Sequence, residues 1–104
     1  MIKIVVTKKH NIINSILITG HAKYAEYGKD TICASVSSMA MFAINAIIYA
    51  DPYTLVYNES EGKLLIEYLH FDKNTHNILE VLITMLKELE TDYPKNIKIR
   101  EEEI

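Results

Sequence analysis

Cys33 is the only cysteine in this 104-residue chain. A lone cysteine excludes an internal disulfide framework and a zinc site built from several thiolates. A free thiol fits a reducing compartment, so a cytoplasmic location is expected. An excess of positive charge is missing as well: 14 acids stand against 11 bases, for a net charge of −3. A dedicated nucleic-acid binder carries the opposite balance, so direct nucleic-acid contact is not expected. Linkers, low-complexity tracts and internal repeats at solenoid spacing are absent. The first nine residues alternate instead of forming the apolar block of a signal peptide. The four histidines, His10, His21, His70 and His76, lack metal-ligand spacing, and neither a metal nor a cofactor is expected.

What is present is enough to build a core. Apolar residues make up 49% of the chain and charged residues 24%, a globular balance at the length of one domain, residues 1–104. A domain this small buries about two-thirds of its unfolded surface, so its stability is modest unless a partner subunit helps. Ile2, Ile4 and Val6 alternate with Lys3, Val5 and Thr7 at strand period, and Val5 suggests some cover on the second face. Residues 8–11 form a polar turn. Residues 12–19 are β-rich and stop at Gly20, completing a hairpin. Residues 20–30 hold two of the three glycines and read as a loop. A helix follows over residues 31–50 and ends at Asp51-Pro52.

Residues 53–57 and 63–69 are strands joined by the polar turn Asn58-Glu59-Ser60-Glu61-Gly62. Asp72 or Asn74 caps a second helix whose apolar stripe is Ile78, Leu82, Met85, Leu86 and Leu89. Tyr93-Pro94 ends it, and Ile97 and Ile99 mark a last short strand. The order ββαββαβ implies an α+β two-layer sandwich: one mixed or antiparallel sheet with two helices on one face.

The two helices differ. The second has an ordinary charged face. The first has no formal charge over twenty residues and many small side chains. Its length would permit a membrane span, but its serines, Asn45 and flanking strands favour a core helix, so no membrane contact is expected. A helix without a charged face is buried nearly all round. Either the second helix supplies that cover or a second subunit does, and the pattern favours a homodimer with Met39, Phe42, Ala43, Ala46 and Ile47 as candidate contacts.

The chemistry sits between residues 20 and 37. Asp30 is a good N-cap for the first helix, or Thr31 serves one position later; either choice puts Cys33 in the first turn. There the unpaired backbone N–H groups and the positive end of the dipole favour a thiolate, the nucleophilic form of cysteine. His21 stands at a strand end before a loop that can fold back and bring the imidazole to the sulfur, a pair suited to acyl transfer. The competing readings are a small core cysteine and a surface histidine. Gly20 and Gly28 can hinge the loop, and Tyr24 and Tyr27 can close it over an apolar substrate. Asp30 either caps the helix or orients His21. Ser37, one turn beyond Cys33, either touches the reacting groups or bonds back to the Cys33 carbonyl.

These residues also resemble a known signature. Gly20-His21-Ala22, Gly28-Lys29-Asp30 and Cys33-Ala34-Ser35-Val36-Ser37 match the pattern of the ribosomal-processing cysteine protease Prp family in both residue type and spacing. Length and strand–helix order agree over nearly the whole chain. The resemblance implies a cytosolic homodimeric cysteine peptidase that trims a short N-terminal extension from a large-subunit ribosomal protein in Firmicutes and related bacteria. Cleavage would follow a phenylalanine in an apolar segment. It further implies that His21 is the base and Cys33 the nucleophile of a dyad, with Asp30 and Ser37 at further motif positions. Two other functions fit the same composition: a ribosome-associated binding protein with a structural Cys33, and a small thiol-dependent hydrolase of non-peptide esters.

Overall fold

A computed structural model of the protein describes residues 1–20 and 31–104. The elements run β1 (Ile2–Lys9), β2 (Ile12–Thr19), α1 (Thr31–Ala50), β3 (Leu55–Ser60), β4 (Lys63–Tyr68), α2 (Lys73–Asp92) and β5 (Ile97–Glu103). The five strands form one sheet in the order β3-β4-β2-β1-β5. All neighbours are antiparallel except β1 and β5, which pair in parallel from Ile2↔Ile97 to Lys8↔Glu103. The sheet is therefore mixed, in an α+β fold with the expected element order.

Strand period decides which face is buried. Ile2, Ile4 and Val6 of β1 and Ile16 and Ile18 of β2 are each almost fully enclosed, as are Leu64 and Ile66 of β4. These side chains share one face of the sheet and join Val36, Ala40, Ile44 and Ile47 of α1 and Leu79, Leu82, Ile83 and Leu86 of α2 in a single core. On the other face Val5, Leu17 and Leu65 lie side by side across three strands and are half-buried. Among the described residues they shield one another, and no helix covers them. The partial burial at Val5 that the sequence suggested comes from these cross-strand neighbours.

Both hairpins are tighter than the sequence indicated. The β1–β2 turn is made by His10 and Asn11 alone, both with positive φ (53° and 64°), as a two-residue turn of this hand requires. Lys8 and Lys9 are paired in the strand, with a bulge beside Thr7. The β3–β4 turn is Glu61-Gly62, with Gly62 at φ 72°. Asn58, Glu59 and Ser60, expected in the turn, pair with Leu65, Leu64 and Lys63 instead. Tyr53, expected in the strand, lies before it.

Helix α1 spans the expected residues 31–50. By length and composition it could cross a membrane, yet one side of it is built into the core. It is not enclosed all round: Phe42 is 77% exposed and Tyr49 94%. Of the five side chains expected at a subunit contact, Ile47 is fully buried within the chain and Ala43 nearly so. Helix α2 starts at the Asp72 cap, whose Oδ2 accepts from the Thr75 N–H at 2.9 Å. Its core-facing residues are Leu79, Leu82, Ile83 and Leu86, so two members of the expected stripe, Ile78 and Met85, lie to one side of it. Together with Val81 they form the α2 wall of an apolar groove of about 630 Å³, opposite Met39, Phe42 and Ala46 of α1.

Candidate active site

Strand β2 and helix α1 set the site. β2 ends at Thr19, paired with Lys63 at the start of β4. Gly20 follows with φ 79°, and its N–H donates to the Gly62 carbonyl at 3.1 Å. A Cβ at Gly20 would lie 2.3 Å from the Met1 carbonyl oxygen, so only glycine fits between the N-terminus and the β3–β4 turn. The position that carries the chain toward α1 is thereby fixed at one end of the sheet. His21, Gly28 and Asp30 lie outside the described residues, and so do Tyr24 and Tyr27.

Thr31 is the first described residue of α1. Cys33 is the third residue, in the first turn, half-buried and packed against the edge of the core. No acidic side chain occupies that turn, so the positive end of the helix faces no competing carboxylate within it. Among the described residues the serine that bonds back along the helix is Ser35, whose Oγ donates to the Thr31 carbonyl at 2.8 Å.

Ser37 lines a narrow cleft. Cys33, Ser37 and Met41 follow one another at four-residue spacing and form one stripe along α1. Ser37 and Met41 meet Ile18, Val36, Leu64 and Glu59 in that cleft. Glu59 was missed in the sequence because its surroundings are turn-forming residues. The signal that could have found it is strand period, which places it on the face of Leu55 and Tyr57. Among the described residues no group of three or more histidine, cysteine or acidic side chains is placed to hold a metal ion.

Comparison with known proteins adds to this geometry. The family model described as Cysteine protease Prp matches residues 1–98. The ribosomal processing cysteine protease Prp of Bacillus subtilis (strain 168) is 30% identical over 107 residues, covering 95% of this chain and 96% of that protein. That of Mycoplasma genitalium is 30% identical over 95 residues, covering 90% of this chain and 95% of its own. The crystal structure of the ribosomal processing protease Prp of Staphylococcus aureus with a covalently linked product peptide superposes with a TM-score of 0.89. That match is at 25% identity and covers 98% of this chain and all of the other. Fold and relatives together define a cysteine protease, a peptide hydrolase with a thiol at the start of a core helix. The chain belongs to the Prp family of cysteine proteases.

Proposed function

We propose that this peptidase removes the N-terminal extension of a large-subunit ribosomal protein, cutting after a phenylalanine in an apolar segment, with Cys33 as nucleophile and His21 as base. The observation that carries the proposal is Cys33 in the first turn of α1, directly downstream of the Gly20 end of β2. The S. aureus relative with its covalently linked product peptide supports it by likeness.

The chemistry follows from those positions. The helix start favours the Cys33 thiolate, and His21 takes the thiol proton. The sulfur attacks the scissile carbonyl, and backbone N–H groups at the start of α1, including that of Cys33, meet the oxyanion. Collapse breaks the C–N bond, His21 passes its proton to the leaving amine, and a thioester remains. Water attacks the thioester with His21 as base and releases the acid and the thiol. Asp30 caps α1 or orients His21. Gly20 and Gly28 bound the segment that carries His21, Tyr24 and Tyr27. The chain acts as one catalytic domain in the cytoplasm.

The same reading makes the enzyme a homodimer, and the α1–α2 groove supports it. Its lining is almost wholly apolar, and Phe42, Val81 and Met85 present large side chains there that are left exposed among the described residues.

The test is incubation with a peptide carrying the ribosomal-protein extension, followed by mass analysis. Cys33→Ala is expected to keep the circular dichroism of the parent and lose cleavage; His21→Ala is expected to lose roughly two to four orders of magnitude in rate. Cleavage that persists in Cys33→Ala would remove the nucleophile.

A further inference from the structure

The helix-covered face of the sheet is built in rows that run across the strands. One row reads Ile99, Ile4, Ile18 and Leu64 and ends at Glu59 on the edge strand β3. The next starts at Glu101 on the other edge and reads Val6, Ile16, Ile66 and Tyr57. Each apolar row thus has a carboxylate at one end, but the two carboxylates are treated differently.

Glu101 is neutralised within the chain. Lys87 Nζ stands 2.9 Å from its Oε1 and Lys8 Nζ 3.8 Å away. The Lys87 hydrogen bond, with help from Lys8, holds this carboxyl below the usual carboxylate range. Glu59 is exposed and has neither an ion pair nor a hydrogen bond with any described residue. It lines the cleft whose α1 wall is Val36, Ser37 and Met41. Ser37 and Met41 belong to the stripe that begins at Cys33, and Ser37 lies one turn, about 6 Å, along the axis from the thiol. A carboxylate without a partner among the described residues therefore lies in one cleft with the α1 stripe that starts at Cys33.

We propose that Glu59 is a specificity-determining residue, selecting peptides that carry a lysine or arginine close to the scissile bond. This rests on the reading of Cys33 as the nucleophile. The alternative role for a charge on an edge strand is to block sheet-to-sheet association. That role predicts no effect on the choice of substrate, which makes the two separable.

The experiment uses a set of cleavable peptides in which positions on either side of the scissile bond carry lysine, norleucine or glutamate in turn. Wild type, Glu59→Gln and Glu59→Lys are compared by kcat/KM at low and high salt. Wild type is expected to favour lysine over norleucine at one position by roughly three- to five-fold at low salt, and less at high salt. Glu59→Gln should lose that ratio through KM, and Glu59→Lys should turn the preference toward glutamate. An equal lysine-to-norleucine ratio in wild type and Glu59→Gln at every position overturns the proposal and leaves the peptidase reading standing. Failure of wild type to cleave any peptide overturns that reading, and the role of Glu59 falls with it.

Discussion

Gly20 shows how a single residue can be fixed by a neighbour far from it in sequence and touching it in space. Its positive φ and the 2.3 Å approach of the Met1 carbonyl oxygen to any Cβ give two separate reasons for glycine. Gly20→Ala is expected to cost about 2 kcal/mol of stability, since neither the backbone conformation nor the contact can relax cheaply. A lowered urea midpoint with unchanged slope would report it; an unshifted midpoint would mean that the N-terminus moves aside. At this scale the sequence exposed the motif residues and hid their surroundings. Cys33 was legible as a first-turn thiol because the helix boundary was legible. Glu59 was not, because Asn58, Glu59 and Ser60 are common in turns and an edge strand exposed on both faces accepts them equally well.

Among the elements, α2 has the best-defined start. Asp72 accepts the Thr75 N–H, and the Thr75 hydroxyl is buried against that of Thr54 at 2.9 Å. The Tyr68 hydroxyl braces the same corner by donating to the Asp72 carbonyl at 2.8 Å, and burial pushes its pKa up. Asp72→Ala should destabilise the protein by about 1 kcal/mol, with most of the loss recovered in Asp72→Asn. Equal stability of all three in chemical denaturation would show that the cap contributes nothing. The cap, the ends of α1 and the element order could all be read from sequence, because caps, Pro52 and strand alternation are local signals. The side of α2 that faces the core could not. Leu79, Leu82, Ile83 and Leu86 form one apolar stripe and Ile78, Val81 and Met85 another beside it. Both have helical spacing, and only the packed sheet distinguishes them.

For the molecule as a whole, the proposed homodimer rests on the groove between the helices. Phe42 and Val81 face one another across it and are more than half exposed. A charge at either position has an almost wholly apolar lining around it among the described residues. Phe42→Glu is therefore expected to halve the mass measured by light scattering while the thermal unfolding remains cooperative, because Phe42 lies outside the core. A parent protein that is already monomeric at micromolar concentration would exclude the dimer. The uncharged character of α1 was visible in the sequence. Its two destinations, the core for Ile47 and the groove for Phe42, required knowing where α2 lies.

The parallel pairing of β1 with β5 also sets an order of events during synthesis. β1 is translated well before β5, so its outer edge finds its partner only when residues 97–103 are made. Until then β1 has only β2 to pair with, and the Lys8 and Lys87 ammonium groups have no Glu101 to meet. Contacts of such long sequence separation close late and slowly. β1 thus keeps an open edge until residues 97–103 are made, and the two-residue turn at His10-Asn11 holds it in register with β2 while it waits.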